Sequence, residues 1–103
     1  SILHRLSGLL LVLITPVLIA LLACSLESPE GFEATRELLA SAPARAALVL
    51  LAWALGHHLF AGIRYLLLDV DIGVERPAAR AGAWLVTGGG LVVALLALWG
   101  VLA

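Results

Sequence analysis

The chain carries three histidines, and two of them fall inside a long apolar stretch. His57 and His58 are adjacent, and no Asp, Glu, Lys or Arg occurs around them between Ala46 and Ile63. Ionisable side chains are costly inside a bilayer and usually serve a function there. A neutral imidazole is a common axial ligand of haem iron, so haem binding is one use for such a histidine. The alternative is structural: a histidine that donates a hydrogen bond to a carbonyl of a neighbouring helix.

The helical neighbours of His58 favour the haem interpretation. Gly62 and Tyr65 lie four and seven residues further on, so all three share one face of a helix. The glycine leaves room for a flat macrocycle, and the tyrosine hydroxyl could reach its polar edge. His57 points about 100° away from His58, so the pair cannot hold one iron between them. The opposite ligand is expected from another chain, because His4 is expected at a different depth, at the membrane surface.

A second group of polar residues lies at the start of the sequence: Ser1, His4, Arg5 and Ser7. We expect His4, Arg5 and Arg64 to cluster at one membrane level, where cations could neutralise two haem propionates through charge-assisted hydrogen bonds. Hydroxyl and guanidinium donors could also hold a carbonyl oxygen that becomes negative on reduction. The simpler alternative is a solvated helix start whose arginine reaches the aqueous interface.

The elements that must position these residues are membrane-spanning helices. The chain has 103 residues, 63% hydrophobic and 13% charged, whereas a soluble domain is about a quarter charged. Every charged residue lies outside three windows, residues 6–26, 46–63 and 81–103. A span needs about 20 apolar residues, and the middle window reaches that length, as residues 46–68, if Arg64 reaches the interface. The expected fold class is an all-α membrane protein with three transmembrane helices in one domain, residues 1–103.

The charged loops predict a short helix and an orientation. Ser28, Pro29 and Glu30 have the residue types of a helix start, which predicts an interfacial helix over about residues 29–40. The arginines divide four to two between the membrane faces, with Arg5, Arg64, Arg76 and Arg80 opposite Arg36 and Arg45. The positive-inside rule then places the N-terminus in the cytoplasm or the mitochondrial matrix.

Three remaining features predict packing or exclude a class of partner. The triplet Gly88-Gly89-Gly90 is typical of close helix packing and is not expected to bind a ligand. The single cysteine, Cys24, gives no disulfide framework and is expected to be a small buried side chain. The net charge of −1 gives no support for a nucleic-acid partner.

Two segments resemble the signatures of one protein family. SILHRLSG, residues 1–8, resembles Ser-x-x-His-Arg-x-Ser/Thr-Gly, and HLFAGIRYLLLD, residues 58–69, resembles His-x-x-x-Gly-Ile-Arg-His-x-x-x-Asp. Both signatures belong to the cytochrome b subunit of succinate dehydrogenase. Their order, their spacing and the three-span layout extend the resemblance over essentially the whole chain. Tyr65 departs from the pattern, because the family often has a histidine there.

The resemblance implies one of the two small membrane anchors of complex II. In that complex a flavoprotein with FAD oxidises succinate, and an iron–sulfur subunit passes the electrons to ubiquinone. His58 would be an axial ligand of haem b iron, and the second anchor subunit would supply the opposing histidine. The implied haem pocket, including the propionate contacts, contains His4, Arg5, Gly62 and Tyr65. The implied ubiquinone pocket contains Ser1 and Arg5.

The implied enzyme is a multi-subunit succinate dehydrogenase of the tricarboxylic acid cycle and respiratory electron transfer. The chain has no flavin, cluster or dicarboxylate motif, so alone it is not expected to oxidise succinate. The expected location is the bacterial inner membrane, ahead of the mitochondrial one. Three alternatives stay open: a homodimeric cytochrome b with His58 from two copies, the anchor of a quinol:fumarate reductase, and a non-redox membrane protein such as a small transporter.

Overall fold

Four α-helices and no strands make up the computed structural model, which describes residues 1–103. The helices are α1 (Ile2–Glu27), α2 (Pro29–Ala40), α3 (Ala42–Asp69) and α4 (Arg76–Leu102). Of these, α1, α3 and α4 are long and apolar enough to cross a membrane. The chain is therefore an all-α, multi-pass membrane protein, as the charge-free windows predict.

Serine caps and early prolines determine where the helices begin. The Ser1 hydroxyl accepts a hydrogen bond from the His4 N–H at the start of α1. Ser28 and Ser41 cap α2 and α3 in the same way, and a proline follows in the first turn of each. With 28 residues, α3 is about 42 Å long, or about 12 Å more than the hydrocarbon core of a bilayer. Its polar ends can therefore lie in the aqueous interface.

The short helix α2 folds back against the end of α1. Gly31 makes this approach possible, because a Cβ there would lie only 2.2 Å from the carbonyl oxygen of Cys24. Thr35 is buried in the same contact and donates to the carbonyl of Gly31 at 2.9 Å. On the exposed side, the Arg36 guanidinium donates to the Glu33 carboxylate and holds the pKa of that carboxyl below its ordinary value.

The central helix is α3, which packs on α1 with one side and on α4 with another. Two residues of the glycine triplet make the second contact close. A Cβ on Gly89 would lie 2.8 Å from the Phe60 ring, and one on Gly90 would lie 3.2 Å from Cβ of His57. Gly88 has open space around it. The packing role predicted for the triplet therefore belongs to Gly89 and Gly90.

Little of the chain is enclosed by the chain itself. Only seven of the 103 residues are buried, and the large exposed side chains are mainly leucine, valine and isoleucine. The molecule measures 55 × 26 × 18 Å, so its helices form a thin layer and not a closed bundle. Its apolar surface must be covered by lipid or by other membrane-embedded chains.

Candidate functional site

The start of α1 and the C-terminal half of α3 bring His4 and His58 into contact. Their rings are stacked, with centroids 4.2 Å apart and planes 3° from parallel. The expectation that His4 lies at a different depth from His58 is therefore wrong. The reason is that α1 begins beside the middle of α3, and α3 continues for seven residues beyond Gly62, about 10 Å. His4 still cannot oppose His58 across an iron, because the stacked rings leave no space between them.

The hydrogen bonds of His58 determine which ring nitrogen carries the proton. Its Nδ1 lies 3.2 Å from the carbonyl oxygen of His4 and 3.3 Å from Oγ of Ser7. A carbonyl can only accept, so Nδ1 carries the hydrogen and donates it. In a neutral imidazole the lone pair is then on Nε2, which has no partner in the chain. The two interpretations of His58 from the sequence are thus compatible, because one nitrogen donates to a neighbouring helix and the other is free to bind a metal.

A cavity of about 420 Å³ lies beside His58 and opens to the outside of the chain. Its walls are His4, His58, Leu59, Gly62, Ile63, Tyr65 and Leu66. Tyr65 meets the His4 ring edge-on, with centroids 5.1 Å apart. At Gly62 a Cβ would lie 3.9 Å from Cε1 of His4, so the glycine leaves this part of the wall open. The structure therefore brings together His4, His58, Gly62 and Tyr65, four of the residues predicted for a haem site.

The groups around this cavity fit a haem. The Nε2 lone pair of His58 can ligate iron, and the leucine and isoleucine walls suit an apolar macrocycle. Nδ1 of His4 is buried and has no hydrogen-bond partner. A buried polar atom without a partner is costly, and a propionate oxygen at the polar edge of a macrocycle would supply one.

Arg5 and Arg64 do not join this cavity. The Arg5 side chain is exposed and makes no hydrogen bond or ion pair within the chain. Consecutive helical residues point about 100° apart, and it is His4 that faces α3. Arg64 turns towards α4, where it donates to the carbonyl of Ala79 at 3.2 Å and lies over Gly82. Within this chain the side chains of His4, Arg5 and Arg64 therefore point in different directions and do not line one cavity, and their expected position at one membrane level stays a prediction.

Ser1 lies on a separate, smaller cavity of about 180 Å³ between α3 and α4. Its walls include Arg64, Tyr65, His57 and Thr87. Arg5 is not among them, so the two residues predicted for a quinone pocket do not line one cavity within this chain. They remain close in sequence at the same end of α1, where a partner could bring them into one pocket.

His57 faces α4, away from the cavity of His58. It is 4% exposed, its ring stacks on Trp53 with centroids 5.3 Å apart, and its backbone and Cβ lie against Gly90. This agrees with the sequence argument that His57 and His58 cannot share an iron. Nε2 of His57 is buried without a hydrogen-bond partner in the chain.

Two residues of the site were missed as partners of His58. Ser7 was grouped with possible donors to a carbonyl substrate, yet it is fully buried and lies against the His58 ring. Gly8 was assigned no role, yet a Cβ there would lie 2.9 Å from Cε1 of His58. The available signal was helical spacing, because Ser7 and Gly8 follow His4 by three and four residues and therefore share its face.

One comparison with known proteins identifies a family. The model of the succinate dehydrogenase/fumarate reductase transmembrane subunit family matches residues 1–98. The match includes α1, α2 and α3 completely and all but the last residues of α4. Every residue of the two cavities described above falls within it.

Proposed function

Because the chain belongs to the succinate dehydrogenase/fumarate reductase transmembrane subunit family, we propose that it is the cytochrome b anchor of a succinate:ubiquinone oxidoreductase. The observation that carries the proposal is the His58 imidazole, whose Nδ1 is occupied by α1 and whose Nε2 is free beside an open cavity. The flavoprotein and iron–sulfur subunits would carry FAD and the clusters. This chain would anchor them and share a haem b with the second anchor subunit.

A bound haem would supply a one-electron redox centre inside the membrane. Nε2 of His58 would hold the iron, and the second anchor subunit would supply a second histidine, because the other imidazoles of this chain do not face Nε2 of His58 across an open space. Nδ1 of His4 and the Tyr65 hydroxyl would donate hydrogen bonds to the propionates of the haem. Gly62 keeps the wall of the pocket flat. Together these residues would hold and orient the group.

The ubiquinone pocket is formed with the neighbouring subunits at the start of α1. Arg5 is suited to it, because its guanidinium is exposed and all of its donors are free within the chain. It donates to a quinone oxygen on which negative charge develops during reduction. The Ser1 hydroxyl is a second donor at the same end. The arginine distribution supports a position of this end on the cytoplasmic or matrix side of the membrane, where the iron–sulfur subunit would dock.

The haem assignment is tested by comparing His58→Ala with His57→Ala in the intact complex. The first variant is expected to lose the bis-histidine haem b absorbance. The second is expected to retain it, because His57 faces α4. An unchanged spectrum in His58→Ala would show that the ligand assignment is wrong. Loss of haem in both variants would indicate that the substitutions disturb the packing of α3, and it would not support His58 as the iron ligand.

The quinone assignment is tested by Arg5→Ala, with Arg45→Ala at the opposite face as the control. We expect Arg5→Ala to lower ubiquinone reduction by about 10-fold to 150-fold, the range for losing a charged hydrogen bond of about 1.5–3 kcal/mol. Succinate oxidation with a soluble dye should be unchanged, since the dye takes electrons before the membrane. Equal losses in both assays would contradict a role in the quinone pocket.

Two related functions make different predictions for what the chain assembles with. A homodimeric cytochrome b would purify in mild detergent without a flavoprotein, whereas the proposed anchor brings a flavoprotein and an iron–sulfur subunit with it. A fumarate reductase would purify with the same kinds of subunit, and it is distinguished by comparing the rates of succinate oxidation and fumarate reduction in the purified complex.

A further inference from the structure

We propose that Ser7 and Gly8 are positioning residues for the axial imidazole, and that Ser7 adjusts the reduction potential of the haem through Nδ1 of His58. This inference rests on the proposed function, since it assigns roles towards the haem that His58 would bind. The restraint on the imidazole ring itself is a property of the chain and can be measured without haem.

The ring of His58 is restrained on three sides by residues of α1. The His4 ring covers one face at 4.2 Å, and the His4 carbonyl and the Ser7 hydroxyl oxygen both lie within hydrogen-bond distance of Nδ1. Gly8 lies against Cε1. An axial ligand must present its nitrogen in a fixed direction, and groups outside the coordination sphere usually provide that direction. Here one helical turn of α1 provides all of them.

Gly8 determines how closely the imidazole can approach α1. A Cβ at this position would lie 2.9 Å from Cε1 and 3.3 Å from Nδ1 of His58, so any other residue would displace the ring. Displacement would lengthen the Nδ1 contacts, which at 3.2 and 3.3 Å are already near the long end for hydrogen bonds. Glycine is therefore required at residue 8 for a reason unrelated to backbone flexibility.

Ser7 acts on the electronic character of the ligand. Its hydroxyl donates to the His4 carbonyl at 2.9 Å, which aims the oxygen lone pairs at the Nδ1–H of His58. The Nδ1–H is thus shared between two oxygen acceptors. Acceptors on this proton increase the basicity of the imidazole, and a more basic ligand stabilises ferric over ferrous iron. Removal of the Ser7 oxygen should therefore raise the reduction potential.

The decisive variants are Ser7→Ala, Ser7→Thr and a matched control, Ser25→Ala. Ser25 donates to the Leu22 carbonyl of the same helix at 2.7 Å, as Ser7 does to His4, but it makes no contact with His58. In the intact complex Ser7→Ala should retain haem, raise the midpoint potential and shift the low-spin ferric EPR signal. Ser7→Thr keeps the hydroxyl and should give a midpoint potential and an EPR signal close to those of wild type. Ser25→Ala should leave the midpoint potential and the EPR signal unchanged. An unchanged or lowered potential in Ser7→Ala would overturn the proposal for Ser7.

Gly8→Ala is compared with Gly88→Ala, which adds the same methyl group to a helix at a position with open space. We expect the first to lower the haem content of the assembled complex several-fold and the second to leave it at the wild-type level. Equal haem content in both assembled variants would overturn the role of Gly8.

A readout without haem separates this inference from the proposed function. In the complex prepared without haem, ¹⁵N NMR of labelled histidine should show His58 protonated on Nδ1, and Ser7→Ala should shift that resonance. If wild type lacks haem yet shows this signature, the proposed function fails and the restraint on the ring stands. If His58 is protonated on Nε2, the positioning proposal fails whether or not haem binds.

Discussion

Replacing His4 with phenylalanine is expected to increase the stability of the haem-free chain and to lower its affinity for haem. The two effects have opposite signs because they have different origins. Nδ1 of His4 is buried and has no hydrogen-bond partner within the chain. Phenylalanine removes this polar atom while it keeps an aromatic ring of similar shape to stack on His58.

The size of each effect follows from the cost of one hydrogen bond. A buried polar atom without a partner destabilises a protein by about 1–3 kcal/mol, so the haem-free chain should gain about that much from His4→Phe. Under the proposed function, the wild-type nitrogen would donate to a haem propionate, and phenylalanine could not replace that hydrogen bond. A hydrogen bond to a charged group contributes about 1.5–3 kcal/mol, so haem affinity should fall by about 10-fold to 150-fold.

The assay measures thermal unfolding of the intact complex purified with haem and from cells that cannot make haem. His4→Phe should raise the melting temperature of the haem-free complex and reduce the increase that haem produces. His57→Phe is the matched control, because Nε2 of His57 is also buried without a partner but lies on the side of α4. It should stabilise both forms by the same amount.

Two results would refute this reasoning. If His4→Phe changes the stability of both forms equally, as His57→Phe is expected to, Nδ1 of His4 does not bind haem. If His4→Phe destabilises the haem-free complex, the nitrogen has a partner from another subunit, and the cavity is occupied by that subunit and not by a haem edge.

Two further predictions concern glycines that contact a histidine or an aromatic ring of the bundle. Gly62→Ala should leave the assembly of the complex unchanged, because the added Cβ would lie 3.9 Å from His4, an ordinary contact distance. It should lower the haem content, because the methyl group would project into the cavity. A normal haem content would show that Gly62 is not part of the haem site. Gly89→Ala should destabilise the complex by about 1–3 kcal/mol in chemical unfolding, since the added Cβ would lie 2.8 Å from the Phe60 ring. Gly88→Ala, the control, should leave the stability unchanged or increase it, because Gly88 has open space around it. Equal effects of the two variants would contradict the observed packing of α3 on α4.

The sequence predicted the three long helices and the face of α3 because both depend on patterns within one helix. Charge-free windows mark α1, α3 and α4, and the four-residue and seven-residue spacings from His58 place Gly62 and Tyr65 on its face. What the sequence could not provide is the offset between helices. The predicted first span begins after Arg5, which puts His4 at the membrane surface. In the structure the His4 ring is stacked on the His58 ring and so lies at the same level along α3.

The same offset explains why the arginines were misplaced and Ser7 was missed. The spacing of residues along a helix shows which side chains share a face. It does not show which neighbouring helix that face contacts until the packing of the helices is known. Once His4 faces α3, Arg5 must point outwards and Ser7 and Gly8 must face His58. Arg64 belongs to the side of α3 that meets α4, since it is two residues beyond Gly62 and therefore about 160° round the helix.

The distribution of partnered and unpartnered polar groups has a functional meaning of its own. Nδ1 of His58, Oγ of Ser7 and the guanidinium of Arg64 all have partners on a neighbouring helix, and each of these contacts fixes a side chain between helices. Nε2 of His58, Nδ1 of His4, Nε2 of His57 and the guanidinium of Arg5 have none. All of these except Nε2 of His57 lie at the start of α1 or beside the cavity that it borders. A chain that folded for its own stability would have paired the buried groups among these. Under the proposed function the chain holds half of a shared site and leaves these groups free, because their partners would be a cofactor, a substrate and the adjoining subunits.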